Sequence, residues 1–315
     1  VEVAIKLAIQ YWYNQGEKRK KIIAIDGSYH GDTFGAMSVG ERGVFTQPFD
    51  SYLFGVDFID FPEKGLEEKV FDQFSTFCKK GDVAAFVFEP LVQGTAGMRV
   101  YSAELLDRMM NKCKELGIIT IADEVMTGFG RTGTFLAVDQ IKNQPDLIAL
   151  SKGLTGGYLA MGATSCASFL RDAFWEENAG QYPERRRFLH GHSYTGNPLA
   201  CAAGLASLNL TEGPSTQENI DRISERHSNF KIEFNGLKGV KEIRHKGVIL
   251  AVEFESANGQ GYFDSLREQL YDHFIERKIL MRPLGNVAYI LPPYCITNSE
   301  LEMCYEAIIE FSGKM

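Results

Sequence analysis

The sequence predicts an α/β protein: a mostly parallel sheet covered by helices, followed by a smaller C-terminal α+β domain. Two observations carry this. Apolar runs of strand length, "VAAFVF" (83–88), "IITIA" (118–122) and "LIAL" (147–150), alternate with helical stretches. A run without polar alternation belongs to a strand buried on both faces, and its alternation with helices belongs to a parallel sheet. Past residue 209 the texture changes to charged helices and short strands. Residues 1–209 are therefore expected to form a large domain and 210–315 a small one.

The elements follow in order. "VEVAIKLAIQYWYNQG" reads as a helix already under way, with Val3, Leu7 and Trp12 on one side. No capping residue precedes it, so further residues are expected upstream of Val1. "KKIIAIDGSYHG" reads as a short strand running into a glycine loop. "GDVAAFVFEP" is a second strand, stopped by Pro90. "SAELLDRMMNKCKELG" is an amphipathic helix closed by Gly117. "IITIADEV" and "PDLIAL" are the next buried strands, and "GNPLACAAGLASLNL" opens a helix of small residues suited to close packing. In the second half, "GVILAVEFE" alternates like a half-exposed strand. "YFDSLREQLYDHFIERKIL" is a helix, "AYILPP" holds a short strand, and "NSELEMCYEAIIEFSGKM" is a closing helix capped by Asn298 or Ser299.

Composition excludes several classes. A formal charge of -8 argues against a general nucleic-acid binder; the one dense basic run, "ERRRF" around Arg186, reads equally well as a solvated loop. The longest apolar runs are strand-sized, far short of a membrane span. The six cysteines, at 78, 113, 166, 201, 295 and 304, have neither metal-site nor disulfide-scaffold spacing. A reducing, cytoplasmic setting is the expectation. No G-x-G-x-x-G follows a strand and no G-x-x-x-x-G-K-[ST] occurs, which removes the nucleotide-fold readings. His190 and His192 lie two apart in a loop without a third ligand, so no metal is expected.

Three strand ends deliver polar residues: Glu89 after "VAAFVF", Asp123 after "IITIA" and Lys152 after "DLIALS". Ligands of open α/β sheets collect beyond the carboxyl ends of strands. An acid and a lysine there form either a buried salt bridge or a site. The glycine loops after both, "MTGFGRTG" and "GLTGG", favour a ligand that enters and leaves, since a static ion pair needs no such open backbone.

Five stretches then occur in order: "DGSYHGDTFGAMSV" (26–39), "FEPLVQGTAGM" (88–98), "IADEVMTGFGRTG" (121–133), "SKGLTGG" (151–157) and "GHSYTGNPLACAA" (191–203). Together they resemble the class III, ornithine-type aminotransferases. The resemblance implies the type I pyridoxal-phosphate (aspartate aminotransferase-like) fold, with a seven-stranded sheet, pyridoxal 5'-phosphate as cofactor and small-molecule substrates. It implies that Lys152 bonds the cofactor aldehyde and that Asp123 pairs with the pyridine nitrogen. Tyr29 would stack on the ring and serve catalysis and substrate, with His30 beside it. Glu89 would lie near the ring's phenolic side and Val125 on its other face. Ser193 matches the residue that reaches the cofactor phosphate of the neighbouring subunit, which implies a homodimer with shared sites. Arg282, Arg131 and Gly191 would line the substrate side, Arg282 gripping a carboxylate with its rigid fork of donors. Arg131 equally suits a role in pinning its loop. The family's glycine–serine phosphate turn would precede Val1. A non-catalytic dimer retaining the fold is the reading from a different class, and Lys152, Asp123, Glu89 and Ser193 all keep chemistry it would not need.

Overall fold

The structure, a computed structural model, describes residues 1–175, 186–256 and 264–315. Its elements run α1 (Glu2–Asn14), β1 (Lys21–Ile25), α2 (Phe34–Ser38), β2 (Asp57–Ile59), α3 (Glu67–Cys78), β3 (Val83–Phe88), β4 (Val92–Gln93), β5 (Arg99–Val100) and α4 (Ala103–Leu116). They continue with β6 (Ile119–Asp123), β7 (Leu147–Leu150), β8 (Ala163–Cys166), α5 (Ser168–Phe174), α6 (Pro198–Thr211) and α7 (Pro214–Glu233). The last are β9 (Val240–Lys246), β10 (Ile249–Phe254), α8 (Leu266–Glu276), β11 (Val287–Ile290) and α9 (Asn298–Lys314). Among the described residues no helix is long and apolar enough to cross a membrane.

The chain forms two compact units. The first gathers Val1–Leu91, Tyr101–Thr127 and Val138–Leu208; the second gathers Val92–Val100, Gly128–Ala137 and Asn209–Met315. The second unit thus includes two segments from early in the chain. One is the β4–β5 hairpin, whose Gly97 carbonyl accepts from Arg244 Nη2 of β9 at 2.8 Å.

The first unit is built on one sheet, ordered β2-β1-β3-β6-β7-β8. The pairs are parallel except β7–β8. Six strands therefore stand among the described residues, against the seven that the family resemblance implies, and β8 is the edge strand beside β7. The all-apolar runs are central for the reason anticipated: every residue of β3 and β6 is buried. Side chains alternate between the two faces. Ala85, Val87, Ile22, Ala24, Ile119 and Ile121 pack with Ala4, Ile5, Ala8 and Trp12 of α1. Phe86 points the other way and meets Phe74 of α3 at 4.8 Å between ring centroids. The buried stripe of α1 is thus Ala4–Ile5–Ala8–Trp12, rotated from the expected Val3–Leu7–Trp12 line. Trp12 fixes that rotation, because its indole N–H donates to the Ala84 carbonyl at 2.8 Å inside the core. α4 is bounded as the sequence indicates: the Ser102 side chain accepts from Leu105 N, and Gly117 takes φ 65° at the C-cap.

The second unit packs α7, α8 and α9 against the antiparallel sheet β11-β10-β9. β10 was expected to be half-exposed, yet all six of its residues are buried, because it is the central strand with β9 and β11 on its flanks. α8 starts at Leu266; Tyr262 and Phe263, which begin the expected helix, lie outside the described residues. α9 is capped by Thr297 rather than Asn298 or Ser299. Thr297 and Glu300 form a reciprocal capping box, the T-x-x-E pattern that satisfies two free N–H groups at once.

Candidate active site

The parallel register brings the predicted polar residues to one edge of the first unit's sheet. Phe88 pairs with Ala122, so Glu89 and Asp123 are the next residues on adjacent strands, about 4.8 Å apart in strand spacing. Asp123 pairs with Ala149, and Lys152 lies just past the end of that strand. Ala24 pairs with Val87, which carries the loop with Tyr29 and His30 to the same edge.

Asp123 is 4% exposed and both of its oxygens are engaged. Oδ2 lies 2.7 Å from His30 Nδ1, and Oδ1 accepts the Val125 N–H at 3.1 Å. His30 is buried as well, and the loop can deliver it because Gly31 takes φ 120°, a conformation L side chains rarely adopt. Glu89 is a second buried carboxylate, and its Oε1 accepts the Tyr29 N–H at 3.0 Å. The Tyr29 ring is left 42% exposed, and its hydroxyl donates to Asp32 Oδ2 at 3.0 Å. Burial, then the bond to Asp32 and its charge, raise the Tyr29 hydroxyl above the usual phenol pKa.

Lys152 is exposed and takes φ 46°, in the left-handed region that costs a non-glycine residue energy. Around it the loop is tied down. Ser207 Oγ donates to the Gly153 carbonyl at 2.9 Å, and Thr155 Oγ1 donates to the Leu159 carbonyl at 2.5 Å. Ser151 Oγ donates to Met161 O at 2.7 Å. A strained backbone held by its surroundings fixes where the amine emerges.

Sequence reasoning missed three supporting residues. Tyr101 is buried and donates from its hydroxyl to the Glu89 carbonyl at 2.6 Å. Glu124 is fully buried; it accepts from Thr127 Oγ1 at 2.5 Å and from Val138 N at 2.8 Å, so it clamps the loop after Asp123. The acid pair "DE" at a strand end was the available signal. Tyr294, in the second unit, donates from its hydroxyl to the Phe129 carbonyl at 2.5 Å and pins the glycine loop.

Ser193 and Gly191 are exposed in the turn that precedes α6. There Thr195 Oγ1 accepts the His192 N–H at 3.1 Å, and Asn197 Oδ1 caps the helix by accepting Leu199 N at 2.9 Å. Arg131 and Arg282 belong to the second unit. Arg131 donates to the Pro292 carbonyl at 2.7 Å and lies over the Tyr294 ring at 4.7 Å, which fits the loop-pinning role. Arg282 is exposed beside buried Met281.

The donor set suits a cationic ring. Two buried carboxylates at neighbouring strand ends are costly unless positive charge faces them, and Asp123 is held rigidly enough to aim its charge. The exposed Tyr29 ring offers a flat apolar surface, and Lys152 an amine.

The sheet thus carries an aspartate and a lysine at the ends of adjacent strands. The chain belongs to the family described as aminotransferase class-III, which it matches over residues 1–311. It is 43% identical to the adenosylmethionine-8-amino-7-oxononanoate aminotransferase of Synechococcus elongatus, over 98% of this chain and 73% of that protein. The crystal structure of the enzyme of that name from Methanocaldococcus jannaschii superposes with a TM-score of 0.91 at 33% identity, covering 100% of this chain and 73% of that one. An amine transaminase from an uncultivated Pseudomonas species, solved with pyridoxal phosphate bound, superposes at 0.89 with 29% identity, over 99% and 74% of the two chains.

Proposed function

We propose that this protein transfers an amino group to 8-amino-7-oxononanoate, forming the 7,8-diaminononanoate of biotin synthesis, with S-adenosylmethionine as donor and pyridoxal 5'-phosphate as cofactor. The observation that carries the reading is Asp123, buried, held at both oxygens and set one strand from Lys152. The names of the relatives at 43% and 33% identity supply the substrate and the donor.

When bound, the cofactor supplies an electron sink for the carbon that loses its proton. The residues would do the rest. Asp123 keeps a proton on the ring nitrogen by charge pairing. His30 and the Val125 N–H keep the Asp123 carboxylate aimed. Tyr29 and Val125 would hold the cofactor ring by apolar contact, and Glu89 fixes the Tyr29 backbone. Lys152 holds the cofactor between turnovers. During turnover its free amine would take the proton from the donor's amine-bearing carbon; water would supply the ketone oxygen and the amino group would stay behind for the second substrate. The same steps in reverse deliver the amine to the amino-oxo acid. By the family resemblance Arg282 would serve the carboxylate end of that substrate, and Arg131 and Gly191 are proposed as substrate-binding residues.

A homodimer is part of the proposal. Leu199 and Leu205 of α6 are 71% and 63% exposed, an apolar surface that a second copy would cover. Exposed Ser193 would reach the partner's cofactor phosphate. The cytoplasm is the proposed setting, in keeping with free cysteines at all six positions.

The test uses the full-length protein loaded with pyridoxal phosphate. The visible band of the lysine-bound cofactor should fall on adding S-adenosylmethionine alone and return on adding 8-amino-7-oxononanoate. A band that responds only to lysine would replace the donor and keep the pathway. No response to the amino-oxo acid after any donor would refute the reading.

A further inference from the structure

One face of α1 does work that the core does not explain. Lys6, Gln10 and Asn14 recur every four residues and so form one stripe on the helix. All three meet the segment 186–190. Gln10 Nε2 donates to the Arg187 carbonyl at 2.9 Å, and Asn14 Nδ2 donates to the Arg186 carbonyl at 3.1 Å. Lys6 Nζ lies 3.0 Å from His190 Nδ1 and 5.7 Å from the centre of the Phe188 ring. Phe188 and His190 stack on each other at 5.6 Å, which makes the segment one rigid piece above the helix. Asn14 also donates to the Ala173 carbonyl at the end of α5, at 3.3 Å, so its amide is oriented from two sides.

Apolar contact reaches this segment through Phe188, half-buried and edge-on to Phe174 at 6.0 Å between ring centroids. Leu189 is 79% exposed, and Arg187 and His190 are exposed too. The directed contacts with α1 are the polar part of what sets its place. Gly191 follows His190 directly, and the turn at 192–195 that presents Ser193 comes next.

We propose that Lys6, Gln10 and Asn14 form a polar rail that fixes residues 186–190 and thereby positions Ser193 for a phosphate monoester. They are positioning residues: they touch neither substrate nor cofactor. The inference rests on the reading of Ser193 given above as a phosphate contact. It also explains why long polar side chains line this stripe of a helix whose other side is core.

Gln10→Glu tests it. Glutamate keeps the shape of glutamine but offers no donor to the Arg187 carbonyl. Three measurements on the full-length protein separate the outcomes: deuterium uptake by residues 186–195 in the holoenzyme, and, on the cofactor-free protein, the dissociation constants for pyridoxal phosphate and for pyridoxal, which lacks the phosphate. The expected result is about tenfold faster uptake in that segment, the size that one or two lost hydrogen bonds produce. Pyridoxal phosphate should bind about tenfold more weakly, by the same arithmetic. Affinity for pyridoxal should stay as in the wild type, and Gln10→Asn, which retains a donor, should recover part of the loss. Unchanged uptake in Gln10→Glu would overturn the rail. Faster uptake with unchanged pyridoxal phosphate affinity would overturn its link to the turn. Ser193→Ala is the reference: if it leaves pyridoxal phosphate affinity untouched, the phosphate reading of Ser193 fails and takes the proposal with it.

Discussion

Lowering the pH from 7 to 5 should cost the second unit about 2 kcal/mol through His227 alone. His227 is fully buried among α7, α9 and the three-stranded sheet, and the Tyr305 hydroxyl lies 2.7 Å from its Nδ1. Burial first, then the neighbouring His245, lower its pKa from 6.5 to about 3. A histidine that resists protonation when folded binds its proton more readily when unfolded. The stabilisation is complete above pH 6.5 and is lost progressively as pH falls toward 3. At 1.36 kcal/mol per pH unit the whole window is worth roughly 4–5 kcal/mol, of which about 2 falls between pH 7 and 5. His245 adds in the same direction, its pKa lowered by burial and then by Lys231 and Lys246. The comparison that isolates His227 is His227→Gln, which keeps an acceptor for Tyr305 and does not titrate. Urea unfolding followed by hydrogen exchange in α7 and α9 reads the second unit directly; both tryptophans, Trp12 and Trp175, belong to the first unit and would report on it instead. The variant should lose about 2 kcal/mol less than the wild type between pH 7 and 5. Equal losses in the two proteins would refute the assignment of that slope to His227.

Other expectations follow from single contacts. Lys152→Ala and Lys152→Gly should both abolish amino transfer, but without cofactor the glycine variant should be the more stable by about 1 kcal/mol, because φ 46° strains alanine and not glycine; thermal unfolding of the two apoproteins decides. Arg244 is buried, donates to Glu253 at 2.5 Å and holds the Gly97 carbonyl. Arg244→Leu should destabilise by about 2–3 kcal/mol, because Glu253 keeps only Lys241 as a partner and the Gly97 carbonyl loses its donor, and adding Glu253→Leu should restore part of it; urea midpoints of the single and double variants check this. Arg282→Ala should raise the KM for the amino-oxo acid about tenfold, as for one charged hydrogen bond lost, and leave the half-reaction with S-adenosylmethionine unchanged in stopped-flow absorbance.

Much of the first unit was legible because period and burial coincide there. A strand such as "VAAFVF" has no polar residue to place in solvent, so it sits inside a sheet with helices on both faces. Lys152, Asp123 and Glu89 were legible for a related reason: a parallel sheet aligns strand ends, so a polar residue after each apolar run reaches the same edge. Where the reading slipped, a tertiary contact had decided between local alternatives. The bond from Trp12 to Ala84 turned α1 away from the Val3–Leu7 line. The position of β10 between two strands buried residues whose alternation had suggested solvent on one side. Thr297, by contrast, was written locally as T-x-x-E and only had to be read one residue earlier.

The hydrogen bonds that hold the site were the least legible part, because they join residues with no sequence relation. His30 meets Asp123 across 93 residues, and Tyr101 meets the Glu89 carbonyl across 12. Such bonds decide what a buried carboxylate can do. His30 Nδ1 at Oδ2 and the Val125 N–H at Oδ1 fix the direction in which the Asp123 carboxyl points. The same reasoning separates the two adjacent acids. Glu124 spends its oxygens on Thr127 and Val138 and so fixes the loop, whereas Asp123 is aimed by His30 and the Val125 N–H. Adjacent in sequence, the two acids are set to different tasks by their partners, since β6 ends at Asp123 and Glu124 already belongs to the loop it holds.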